Sequence, residues 1–220
     1  MSIANGLLLA FALIQGALLV WSFRSGRSGL RVWIIRALLF GTCFDNAVQG
    51  LGFWMIDQPW FEGLSQLRYV LHALFLPFLV VFAIDVLAKW HIEFAQKTWA
   101  VAGAWILTLA GVCFGLYTDL VGHELVATEI LGVHKYIAAE TSPPLATIVS
   151  NLVVIVLAVI LWRKVGWPWL CIGALTIFAV NAGTAPFVWG FLAGNLAEVF
   201  FIGTLILTDQ RLVQRLSGEH

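Results

Sequence analysis

Five side chains in an otherwise apolar sequence have the types that do chemistry: Asp45, Arg68, His72, Ser150 and Glu198. A serine, a histidine and an acid are the nucleophile, base and orienter of hydrolases, so Ser150, His72 and Asp45 would suit acyl transfer. Two acids such as Asp45 and Glu198 would suit general acid–base work. Arg68 and His72 stand one helical turn apart and supply possible positive charge. Carboxamides accompany these groups, at Asn46, Gln49, Asn151 and Asn181.

These residues lie in long apolar runs. The chain has 220 residues, of which 61% are hydrophobic and 11% charged, with a mean hydropathy of +0.94. A soluble domain carries about 25% charged residues, so the solvent implied here is lipid. The formal net charge is zero, which leaves no global basic field for nucleic acid. Cys43, Cys113 and Cys171 all fall in apolar runs without a CxxC partner and read as small core hydrophobes. The first apolar run lacks a basic n-region and a small-residue cleavage site, so it is expected to be a retained helix.

Apolar stretches of roughly 18 or more residues are candidate membrane spans. The sequence predicts an all-α polytopic membrane protein of one domain, with seven spans near 3–23, 32–56, 67–88, 98–118, 143–162, 167–190 and 191–208. Residues 167–208 would be about twice the bilayer thickness as one helix, and Pro186, Gly190, Gly194 and Asn195 supply the chemistry of a turn. Pro77 is expected to bend the third span. Ten of the twelve Lys and Arg residues fall on one side of this arrangement; only Arg68 and Lys135 fall on the other. That bias makes the N-terminus external and the C-terminus cytoplasmic. The plasma membrane is the expected location.

The one long outer connection, about residues 119–142, has Val126, Ile130, Val133 and Ile137 at helical spacing. A surface helix over 120–138 or an ordinary structured loop would fit it. Arg36 and Asp85, near the cytoplasmic ends of spans two and three, are expected to pair. Gly111 and Gly115 form a GxxxG on span four, a pattern of close packing that also allows an oligomer. Asn46-Ala47 precedes Trp54 by the spacing with which Asn181-Ala182 precedes Trp189. Matches of that size arise readily by chance in apolar sequence.

Counting about 1.5 Å per residue puts Arg68 near the outer surface and His72, Ser150, Glu198, Asn181 and Asp45 roughly 7–16 Å below it. Ionisable groups at that depth cost roughly 2.5–3.5 kcal/mol on insertion scales, so they face a partner or a watery cavity. The leading expectation is an outward-facing polar pocket in contact with membrane lipid, binding or transporting a small or amphipathic ligand without catalysis. The alternatives are an intramembrane lipid hydrolase using Ser150, His72 and Asp45, or an Asp45–Glu198 pair, and a plain helix-packing network. No cofactor or metal is expected. Retinal needs a lysine in the last helix, which has none, and b-type haem needs two intrahelical histidines, where only His72 qualifies. A zinc site would have to draw His123 and His134 down from the outer loop.

Overall fold

In a computed structural model that describes residues 1–120, 124–139 and 144–218, the apolar runs form helices. In chain order they are α1 (Ile3–Arg24), α2 (Leu30–Met55), α3 (Phe61–Phe75) and α4 (Phe78–Lys89), then a 3-10 turn at Glu93–Gln96 and α5 (Thr98–Leu120). A hairpin of β1 (Leu125–Ile130) and β2 (Val133–Ala138) follows, and then α6 (Leu145–Val165), α7 (Trp169–Thr184) and α8 (Gly190–Gly218). Among the described residues five segments are long and apolar enough to cross a membrane: α1, α3 with α4, α5, α6 and α8. Large apolar side chains such as Leu13, Ile106 and Val156 point outward from them. Helices apolar on every side suit a lipid solvent, and the protein is a multi-span helical membrane protein.

The division at Pro77 follows from its missing N–H and its clash with the preceding turn. The Thr108 hydroxyl of α5 donates to the Pro77 carbonyl at 3.1 Å, and the proline ring packs on Gly111. Gly115, one turn further along α5, lies against Ala73 of α3. Both members of the GxxxG are thus used inside the chain, where small residues let α5 approach the kinked span. The last helix runs ten residues beyond the expected 208, because Arg211 and Arg215 lie over the rings of Trp167 and Trp90 and hold its final turns. The break before it falls at 185–189, with Gly190 so close to Thr184 that a Cβ would overlap its carbonyl.

Where a surface helix was one expectation, the chain forms an antiparallel hairpin, with Val126 opposite Ile137 and Ile130 opposite Val133. The spacing misleads for a simple reason. Four is an even number, so residues four apart share a face of a strand as well as of a helix. The β-branched content favours the strand, and Leu131-Gly132 turns with both residues at positive φ, 54° and 73°. That is the two-residue turn whose twist matches a hairpin. Beyond the hairpin, residues 121–123 and 140–143 lie outside the described part of the chain.

β2 enters the end of the bundle rather than lying on it. Val133 is fully buried and packs with Ala4 and Leu8 of α1 and with Phe191 and Leu192 of α8. Gly52 of α2 is what admits the strand, since a Cβ there would overlap the His134 carbonyl. α1 is tied to α2 nearby, where the Asn5 amide donates to the Gly50 carbonyl at 3.2 Å. The opposite half of the bundle is a continuous apolar core from α2, α4, α6, α7 and α8, centred on α4, whose Val80, Phe82, Val86 and Leu87 are almost fully buried.

Ion pairs close that opposite end. Asp209 of α8 is buried between Arg27 and Arg31, and Arg31 also pairs with Asp85 of α4. Arg36, expected to pair with Asp85, instead donates to the Ser22 carbonyl at 2.7 Å and the Arg27 carbonyl at 3.0 Å. Its guanidinium stacks over Phe23 and Trp33. The reason is reach: Arg31 begins α2 beside the end of α4, whereas Arg36 lies more than a turn deeper, against the frayed carbonyls of α1.

Candidate functional site

α3 is the wall that organises the site. Its Arg68 donates from Nε to Asp45 Oδ1 of α2 at 2.6 Å, and both side chains are more than nine-tenths buried. Asp45 Oδ2 accepts from Gln49 Nε2 at 2.7 Å, one turn along α2. Gln49 Oε1 in turn faces the Lys135 ammonium of β2 at 3.3 Å. A continuous polar chain therefore runs Lys135–Gln49–Asp45–Arg68 across three elements. The Lys135 ammonium also sits over the Phe191 ring, 3.6 Å from its centroid.

One turn below Arg68, His72 Nδ1 lies 3.0 Å from the Arg68 carbonyl, and Nε2 lies 3.6 Å from Glu198 Oε1 of α8. Nδ1 donates to that carbonyl when it carries the proton, and Nε2 is attracted to the acid when the ring is fully protonated. Burial pushes the Lys135 ammonium down from its ordinary value to about 8, with the Arg68 guanidinium adding to the depression and Asp45 opposing it.

These groups border a cavity of about 540 Å³. Asp45, Arg68 and His72 form one wall, Asn181 of α7 with Asn195 and Glu198 of α8 another. Leu76, Pro77, Leu145 and Phe191 supply apolar lining, together with Ile137 and Ala138 of β2. From Arg68 to Leu76 the cavity follows α3 for about 12 Å. Two of the lining residues each carry a buried atom with no hydrogen-bond partner, Arg68 Nη1 and Glu198 Oε2.

Of the nine residues singled out from sequence, Asp45, Arg68, His72, Asn181 and Glu198 line the cavity, and Gln49 stands behind Asp45. Asn46 turns away to donate to Gln15 Oε1 at 3.0 Å, joining α2 to α1. Ser150 and Asn151 are not among the lining residues. Ser150 is buried beside Gly111 at the α5–α6 contact, and Asn151 Oδ1 is buried without a partner. The serine, histidine and acid are thus not gathered around one space.

Sequence reasoning missed Lys135, Tyr69, Asp119 and Phe191. In strand alternation Lys135 falls with Val133 and Ile137 on the inward face, and Gly132 is the turn residue that signals the hairpin. Among the described residues no three His, Cys, Asp or Glu side chains gather as a metal-holding group, and His123 lies outside the described residues. No family model, curated protein or solved structure matches this chain.

Proposed function

We propose that the chain crosses the plasma membrane seven times, N-terminus outside and C-terminus in the cytoplasm, and that its outer cavity binds or transports a small or amphipathic ligand. The observation that carries this reading is the cavity itself: five elements bring ionic and amide groups to one space of about 540 Å³. A packing network alone would close on itself, because a void lined by polar groups in lipid is costly. α2 supplies the second span although it carries Arg31, Arg36 and Asp45, since Arg36 and Asp45 are buried and Arg31 pairs with Asp85 and Asp209. α7, sixteen residues and about 24 Å long, supplies the sixth. The bias of basic residues supports the orientation. A reporter fused after Arg215 would then be cytoplasmic and an N-terminal tag external.

A hydrolase using Ser150 is not favoured, because Ser150 lies off the cavity. The deciding experiment is thiol labelling. In a chain lacking Cys43, Cys113 and Cys171, Thr147→Cys places one thiol on the cavity wall. A membrane-impermeant maleimide added outside sealed cells is expected to label it, while Cys171 restored alone in the apolar core stays unlabelled. Labelling of Thr147→Cys only from the cytoplasmic side, or not at all, would remove the outward cavity.

A further inference from the structure

Two residues that line the cavity carry buried, partnerless atoms of opposite polarity. Arg68 Nη1 is a charged donor on α3, and Glu198 Oε2 is a carboxylate oxygen on α8. Each belongs to a group with another polar atom already committed, Arg68 Nε to Asp45 and Glu198 Oε1 to His72. Both residues line the cavity, Arg68 from α3 and Glu198 from α8, and each side chain is held by its committed atom. Buried polar atoms are almost always satisfied, and an orphan on a charged group calls for a missing partner.

The charges around the space constrain that partner. Arg68, His72 and Lys135 stand against Asp45, Glu198 and Asp119, so the surroundings have no strong net sign. A singly charged occupant would satisfy one orphan, leave the other, and add an uncompensated charge in a poor dielectric. An occupant carrying an anionic oxygen and an N–H donor satisfies both. The remaining wall is apolar, through Leu76, Pro77, Leu145 and Phe191, and suits a hydrocarbon portion.

We infer that the cavity takes a zwitterionic amphiphile, its anionic oxygen set on Arg68, its ammonium N–H on Glu198, and its apolar part along Leu76, Pro77 and Phe191. This rests on the reading of the cavity as a ligand site. The chemistry is that of an ethanolamine phosphate, whether borne by a membrane lipid or by a free molecule.

The test uses the full chain purified in dodecyl maltoside, with tryptophan fluorescence and melting temperature as readouts. Four probes are titrated: lysophosphatidylethanolamine; lysophosphatidylcholine, whose ammonium has no N–H; lysophosphatidic acid, which has no ammonium; and free phosphoethanolamine. The ethanolamine lipid is expected to bind at least about tenfold more tightly than the choline and acid forms, a factor in keeping with one buried charged hydrogen bond. Glu198→Gln should bring the ethanolamine-to-choline ratio close to one. Arg68→Lys, which keeps a charge for Asp45 but loses the guanidinium fork, should weaken all three phosphate lipids. If Arg68→Lys fails to fold, Glu198→Gln decides alone, since Glu198 is not part of the Asp45 pair. Phosphoethanolamine binding as tightly as its lipid would assign a soluble source, and weaker binding a lipid source; both support the zwitterion. Equal affinity for the three lipids, or a preference that survives Glu198→Gln, overturns it while leaving the cavity a ligand site. No binding of any probe also overturns it, and the Thr147→Cys labelling then reports separately whether the outward cavity stands.

Discussion

Asp45 and Arg68 meet at 2.6 Å across the α2–α3 interface, and Arg68 is the only guanidinium that Asp45 contacts among the described residues. Removing one member of such a buried pair leaves the other charge without compensation, which costs roughly 3–5 kcal/mol. Asp45→Ala is therefore expected to lower the melting temperature in detergent well below that of Asp57→Ala, which removes an exposed acid between α2 and α3. Equal melting of the two variants would mean that the pair is solvated and contributes little.

The hairpin depends on one missing methyl group. A Cβ at Gly52 would overlap the His134 carbonyl, and backbone cannot swing aside as a side chain can. Gly52→Ala should cost about 1–3 kcal/mol as an overpacking change and should open the hairpin to added protease. Gly63→Ala, on α3 with nothing within 4 Å of its Cβ, is the control and should be neutral or stabilising by up to about 1 kcal/mol. Protection of the hairpin in Gly52→Ala equal to that of wild type would show that β2 docks without close backbone approach.

How far the sequence discloses the molecule depends on which period a segment obeys and on how many partners a residue has. The helices and the turn before Gly190 follow from long apolar runs broken by Pro and Gly. The pairing of Asp45 with α3 follows from a scarcity of alternatives, since few cations lie at that depth. The hairpin does not follow, because spacings of four satisfy both periodicities. Asp209 is equally opaque: as one acid near Arg211 and Arg215 it looks solvated, yet it is buried against Arg27 and Arg31, about 180 residues away. Ser150 shows the remaining gap. Depth along a helix is readable from counting, but the azimuth of a serine on a helix apolar all round is not.

Lys135 gives a signature in pH. Its folded value is near 8, below the ordinary lysine value of about 10.4. Between those two values the unfolded chain binds more protons than the folded one, so stability rises with pH across that window. Below about pH 8 both states carry the ammonium, and the contribution is constant. The melting temperature of wild type should thus climb from pH 8 to 10 relative to Lys135→Met, which has no amine to titrate. Parallel curves for the two proteins would place Lys135 in water and detach β2 from Gln49.

The last prediction separates binding from hydrolysis at the site, and it rests on Glu198 and Ser150. In a binding or transport cavity Glu198 is a wall residue that meets the ligand, whereas Ser150 is a packing residue beside Gly111. Glu198→Gln should then reduce ligand affinity or transport by about tenfold or more, the scale of a lost charged hydrogen bond. Ser150→Ala should change either by less than about twofold, within what a surface or packing substitution does away from a site. A serine hydrolase reverses the order, because without the hydroxyl no acyl-enzyme forms. The measurement is ligand binding and lipid turnover on wild type and both variants. Loss of turnover in Ser150→Ala with binding retained would make the protein a hydrolase. Wild-type behaviour in both variants would reduce the polar groups to helix-packing devices, leaving the cavity without a ligand role.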